Sequence, residues 1–230
     1  SRKGLSCIQH DGKSYQRFVL VNSLLNTAYD RRDWSACAEA QSTLESVSRQ
    51  SGNPSALSRS LNSRAIVAIL RGNVSELVSA LKRERPWLRR SEHLEQRALW
   101  VAHSGIALAW LGDERAALRR LRRCIDDSRA VTLPATEALA ARSIAEIALV
   151  QGRLISARRW FLRSIRLRGD DLAVLVPAAL GLGRVALLQR DLRSIEFAAA
   201  KLRPFDRKGA PPDLGLAITE LEACGLLLEA

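Results

Sequence analysis

The stretch Gly105-Ile106-Ala107-Leu108-Ala109-Trp110-Leu111-Gly112-Asp113-Glu114-Arg115-Ala116-Ala117-Leu118-Arg119-Arg120-Leu121 decides the fold. Before Gly112, the residues Leu94, Ala98, Val101, Gly105, Leu108 and Leu111 share one helical stripe, and Ala117, Leu118, Leu121 and Ile125 form another after it. Between them, Leu111-Gly112-Asp113-Glu114 has the chemistry of one helix ending and another starting. A glycine can take a positive φ just past a C-terminus, and an aspartate can cap the next N-terminus.

Outward from there the same punctuation returns. It reads Tyr29-Asp30-Arg31-Arg32-Asp33-Trp34, Leu70-Arg71-Gly72-Asn73-Val74, Val150-Gln151-Gly152-Arg153-Leu154 and Leu188-Gln189-Arg190-Asp191-Leu192. From Arg32 to Gly72, Gly112, Gly152 and Arg190 the intervals are 40, 40, 40 and 38 residues. Such a period marks a repeat architecture. Small residues keep fixed places in it. Seven before the breaker stand Leu25, Ala65, Gly105, Ala145 and Gly183; four before it, Ala28, Ala68, Leu108, Ala148 and Ala186; five after it, Cys37, Leu77, Ala117, Ala157 and Ile195. Small side chains there let two antiparallel helices approach closely.

Further breakers separate the repeats: Ser51-Gly52-Asn53-Pro54, Glu84-Arg85-Pro86, Ser128 to Pro134, Gly169-Asp170-Asp171 and Pro204 to Pro212. The expected helices are therefore 15–31, 34–50, 56–71, 74–84, 91–111, 114–130, 134–151, 154–168, 171–189, 192–203 and 212–228. After an irregular segment 1–14, the repeats run about 15–53, 54–90, 91–133, 134–170 and 171–211, with a half repeat at 212–230. The expected fold is all-α: a right-handed superhelix (α-solenoid) of about five antiparallel helix pairs plus a terminal helix.

Composition agrees. The chain has 230 residues, 47% of them hydrophobic, enough to bury a core and exclude wholesale disorder. Sparse glycine and proline with abundant Ala, Leu, Arg and Glu disfavour a β-sandwich or parallel sheet. No apolar run is long enough for a membrane span, since Ala178–Leu188 is broken by Gly181, Gly183 and Arg184. Cys7, Cys37, Cys124 and Cys224 are too scattered for a disulfide framework or a zinc site, which points to a reduced, cytoplasmic setting. Methionine is absent and the chain stops where another repeat would turn, so a piece excised from a longer protein is expected. The charge of +12 rests on arginine and fits either a nucleic-acid partner or a GC-rich genome.

The order small residue, aliphatic, Gly-Asp/Asn, then Ala resembles the tetratricopeptide repeat, most clearly in Gly105–Leu121 and Ala145–Phe161. With a period near 40 rather than about 34, the chain from about Tyr15 to Glu229 looks like the superhelical sensor domain of MalT-type regulators, bacterial activators of the LuxR family. That resemblance implies a flanking signal-transduction ATPase and a DNA-binding helix-turn-helix. ATP would belong to the missing N-terminal domain, with no cofactor in this piece, and the domain would control self-association in response to an effector.

Catalysis has little support. His10, His93 and His103 sit in no metal or nucleophile motif, and there is no phosphate-binding glycine loop. An enzyme is not expected, and neither is a bound metal. A binding groove is, because stacked helix pairs present an extended concave face. By the tetratricopeptide alignment that face carries Asn22, Asn26, Tyr29, Arg59 and Asn62 at one end, and Arg142, Glu146 and Arg184 at the other. The middle, with Leu99, Ala102, Ile106 and Ala109, is apolar, as a pocket for a small molecule or peptide requires. Trp87 falls in the expected loop after Pro86 and is the aromatic best placed to touch a partner. Arg119, Arg123, Arg159 and Arg163 form an outer basic stripe, either solvated or in contact with DNA phosphates or an acidic neighbouring domain.

Three functions follow as expectations. The first is the sensor domain of a MalT-type transcriptional activator, binding a small effector or regulatory protein, with a homo-oligomer among its expected partners. The second is a tetratricopeptide peptide-binding scaffold of another multidomain protein. The third is a nucleic-acid-binding solenoid; no membrane partner is expected.

Overall fold

The computed structural model describes residues 12–31, 33–90, 93–168, 171–206 and 212–229. They are all-α, with no strand among the described residues. In chain order the helices are α1 (Gly12–Asp30), α2 (Trp34–Gln50), α3 (Pro54–Leu70), α4 (Val74–Leu88), α5 (Leu94–Trp110), α6 (Glu114–Ala130), α7 (Pro134–Val150), α8 (Leu154–Arg168), α9 (Leu172–Gln189), α10 (Leu192–Leu202), a 3-10 turn (Arg203–Phe205) and α11 (Pro212–Glu229). α1 starts at Gly12, inside the segment expected to be irregular over 1–14, of which residues 1–11 lie outside the described residues.

The repeating turns show why the breakers work. The backbone N–H of Asp33, Asn73, Asp113 and Asp191 reaches back to the carbonyl of Ala28, Ala68, Leu108 and Ala186 at 2.8 to 3.0 Å, closing one helix. The side chains of the same four residues accept from the N–H of Ala36, Glu76, Ala116 and Ser194, opening the next. One residue thus ends a helix with its donor and starts another with its acceptor. Arg153 makes the first contact, to Ala148 at 2.9 Å, but has no acceptor for the second.

Between the closing N–H and the helix, the chain must turn left-handed. Gly72, Gly112 and Gly152 do so at φ 65°, 85° and 68°, and Arg190 follows at φ 53° without glycine's freedom. Arg32, the first breaker, lies outside the described residues. Thr132, between α6 and α7, is held at φ 56°, where a β-branched side chain crowds its own backbone. Thr132→Gly is therefore expected to stabilise the chain by about 1 kcal/mol. That should appear as a rise of roughly 2–4 °C in thermal unfolding. An unchanged midpoint would mean that the turn is not left-handed in solution.

The largest departure from expectation is at α4, which continues through Pro86 to Leu88 instead of stopping at Glu84. Proline sacrifices one helical hydrogen bond. Running on buries Leu88 and half-buries Trp87, apolar surface that offsets the loss. Trp87 is therefore a helical residue rather than a loop residue. Its ring packs under the Arg90 guanidinium, 5.6 Å from centroid to Cζ.

The chain divides into two compact units, Ser1–His103 and Ser104–Ala230, with the division inside α5. In the first, α1 packs on α2, α2 on α3 and α3 on α4. Phe18, Val21, Leu25, Ala28, Cys37, Leu44, Val47 and Val67 form a core there. In the second, consecutive helices from α6 to α11 pack together, and α9 also touches α7 and α11. That unit's main core centres on Phe161, Leu175, Leu182, Leu202 and Leu221. The small-residue positions are where the helices meet. A Cβ added at Gly105 would lie 2.7 Å from Leu121 Cγ.

Candidate functional site

A cleft of about 500 Å³ opens between α2, α3 and α4 of the first unit. Its walls follow from helical spacing. Trp34, Ala38, Gln41, Ser42, Glu45, Ser46 and Arg49 recur three and four apart along α2. From α3 come Arg64 and Val67, with Arg71 just past its end, and from α4 come Glu76 and Arg83.

Charge is concentrated here. Glu45, 13% exposed, receives three guanidinium groups from three helices. Arg49 donates from Nε at 3.1 Å and Nη2 at 2.8 Å to Oε1, Arg64 donates from Nη1 at 3.5 Å to Oε2, and Arg83 also donates to Oε1. Arg64 is shared with Glu76, its Nε 3.3 Å from Oε1. Burial alone would raise the pKa of Glu45. The Arg49 hydrogen bond and the charges of Arg83, Arg49 and Arg64 outweigh it and hold the carboxyl below its usual value. Its contribution to stability is therefore present at neutral pH and lost only as the solution is acidified through that lowered value. Arg71 makes no ion pair among the described residues and stands at the rim. Four arginines, Arg49, Arg64, Arg71 and Arg83, face two glutamates, Glu45 and Glu76, so the cleft carries a net positive charge.

Gln41 marks the cleft as more than a surface groove. It is 6% exposed, lines the cavity, and its Nε2 has no hydrogen-bond acceptor. A buried donor left unpaired costs on the order of 1–3 kcal/mol unless something else accepts from it. Nine residues after the breaker, the other repeats place Leu81, Leu121, Phe161 and Ala199, all buried. Gln41 is the polar exception in an apolar position, and that comparison of repeats is the sequence signal that finds it.

None of the residues expected in the first-helix groove lines this cleft. On α1, the Tyr29 hydroxyl donates to Asn26 Oδ1, and Asn22 is half-buried. On α3, Arg59 is exposed, whereas Asn62 is 8% exposed with Oδ1 unpartnered, so it faces the interior rather than an open groove. In the second unit Arg142 has a side chain only 12% exposed, with Nε 3.4 Å from Glu146 Oε1, close enough for an ion pair but without hydrogen-bond geometry. Arg184 is exposed and pairs with Glu220 at 3.4 Å. Ala102 and Ile106, expected to line the apolar middle, are buried.

The basic stripe is equally divided. Arg119 is exposed, Arg123 makes a solvent-exposed pair with Asp127 at 3.5 Å, and Arg159 lines a shallow hollow with Gly152, Trp160 and Gln189. Arg163 is partly exposed and already paired. It donates with Arg129 to the buried carboxylate of Glu137 and stacks over Trp160 at 5.8 Å. Burial would raise the pKa of Glu137, but the hydrogen bonds and charges of those two arginines lower it.

Among the described residues, no helix is long and apolar enough to cross a membrane and no group of His, Cys, Asp or Glu is arranged to hold a metal. Cys37 and Cys124 are buried and Cys224 is half-buried; Cys7 and His10 lie outside the described residues. These features define an all-α protein built of repeated helix pairs with a charged cleft between the first two pairs. No protein-family model matches the chain, and no curated protein compared with it is similar to it.

Proposed function

We propose that this chain is a non-catalytic sensor or interaction domain that holds a small effector or a short peptide segment in the cleft between α2, α3 and α4. The observation that carries this reading is Gln41: a buried amide donor without an acceptor, on a residue that lines a cavity walled by four arginines. Stability alone favours an apolar residue there, as the other repeats have. The resemblance to MalT-type regulators supports placing such a domain between an ATPase and a DNA-binding module. Binding there would act by population shift, the effector favouring the assembly-competent form.

Ala38, an exposed cleft residue, offers the test. A screen of metabolites and peptides by thermal shift is expected to find a binder whose effect disappears in Ala38→Trp, while the unliganded midpoint stays within a degree or so of wild type. A binder insensitive to Ala38→Trp but lost in an Asn26→Ala, Arg59→Ala double variant would move the site back to the first-helix groove.

A further inference from the structure

The charges of the cleft identify the chemistry of its occupant. We propose that the cleft takes a phosphate-bearing small organic molecule, with Glu45 serving as an internal stand-in for the phosphate until the ligand displaces it. This rests on the cleft being the binding site.

Three guanidinium groups bring more donors to Glu45 than a carboxylate can accept. Each offers up to five N–H groups, and the carboxylate has two oxygens with about four acceptor positions. The geometry is correspondingly uneven. Arg49 is bidentate on Oε1, Arg83 shares the same oxygen, and Arg64 reaches Oε2 only at 3.5 Å while dividing itself with Glu76. A phosphate monoester has three terminal oxygens and a charge near −2 at neutral pH, more acceptors and more negative charge than the carboxylate it would replace. A simple carboxylate ligand would offer nothing that Glu45 does not already provide.

The rest of the cavity suits an organic body. Its volume of about 500 Å³ exceeds what a bare phosphate fills, and Trp34, Ala38 and Val67 supply apolar wall. Gln41 lies in the same wall, its Nε2 buried without an acceptor. The arginines come from α2, α3 and α4, so exchanging Glu45 for a ligand phosphate releases α2's own carboxylate while keeping the three helices tied through one anion.

Titration calorimetry of the full chain with phenyl phosphate, inorganic phosphate and succinate tests the proposal. Phenyl phosphate is expected to bind at one site, and Glu45→Gln, which removes the internal competitor, to tighten it at least tenfold. Gln41→Leu installs the residue found at the equivalent places Leu81 and Leu121, so it is expected to fold, and it should weaken phenyl phosphate several-fold. Inorganic phosphate and succinate are expected to bind more weakly than phenyl phosphate. Succinate binding as tightly, or Glu45→Gln and Gln41→Leu both leaving the affinity unchanged, would overturn the proposal. So would no phenyl phosphate binding to wild type or Glu45→Gln. If Ala38→Trp still abolished binding of another effector, the cleft would stand as the site and only its phosphate chemistry would fall.

Discussion

Glu84→Gln is expected to flatten a loss of stability that the wild-type chain shows as the pH rises from about 4.5 to about 8. Glu84 is fully buried where α4 packs on α3; its Oε1 accepts from Ser58 Oγ at 3.0 Å, and its Oε2 has no partner. Burial pushes its pKa from 4.5 up to about 8, against a smaller lowering by the Ser58 hydrogen bond. The unfolded chain releases this proton near 4.5, and the folded chain keeps it until about 8. Within that window the folded state holds the extra proton, so stability falls with rising pH by up to about 1.4 kcal/mol per unit, a few kcal/mol in all. Glutamine keeps an acceptor for Ser58 and cannot ionise. Urea unfolding of both chains at pH 5 and pH 8 reads the difference, which is expected to favour the variant at pH 8. Parallel pH dependences would show that Glu84 ionises in the folded chain as readily as in the unfolded one. Glu45 and Glu137 do not blur the result, because their lowered pKa values place their contribution to pH dependence on the acid side.

The second large effect lies in the other unit, at Gly181 and Phe161. Phe161 is completely buried on α8, and its ring edge occupies the space that a Cβ on Gly181 of α9 would need. Gly181→Ala forces the ring to move within a packed core and is expected to cost about 1–3 kcal/mol. Phe161→Ala opens a cavity and is expected to cost about 3–5 kcal/mol. Because the added methyl group enters the space that the ring vacates, the double variant should be more stable than the two losses predict together, with a coupling of about 0.5–3 kcal/mol. Denaturation of the four chains measures that coupling. Strict additivity would mean that α8 and α9 do not meet at this pair.

Three further outcomes bear on the same molecule: the turn at Thr132, the cleft-filling Ala38→Trp and the phenyl phosphate titration. Together they separate the fold, the place of the site and its ligand chemistry.

Much of the fold was legible because its determinants are local. A glycine that can turn left-handed, followed by a residue whose N–H closes one helix and whose carboxylate or amide caps the next, acts within nine residues, as from Leu108 to Ala116. Gly112-Asp113 and Gly72-Asn73 therefore announce their turns without help from the rest of the chain. The period then places Ala65, Gly105, Ala145 and Gly183 at helix contacts, since the same step of chain returns to the same face. Pro86 misleads for the opposite reason. Its local cost is outweighed by burial of Leu88 and Trp87, a quantity set by neighbouring helices.

The cleft was legible only in part. Glu45 and Arg49 are four apart on one helix, a pairing that sequence alone states, but Arg64 and Arg83 join them from 19 and 38 residues away. Which arginine of a basic column turns inward cannot be read from its position. Eleven residues after the breaker, Arg83, Arg123 and Arg163 occupy equivalent places, yet Arg83 meets Glu45, Arg163 meets Glu137, and Arg123 stays exposed beside Asp127. A comparison of repeats would have exposed Gln41 and Glu84 as polar residues in buried columns, the latter twelve after the breaker where Leu44, Cys124, Ser164 and Leu202 stand. By itself, then, the sequence determined the helices, their turns and the residues where they touch, all consequences of short-range hydrogen bonding and a regular period. Only the tertiary structure decided which charges converge and which polar groups are stranded, because both depend on side chains meeting across three helices and on the water excluded between them.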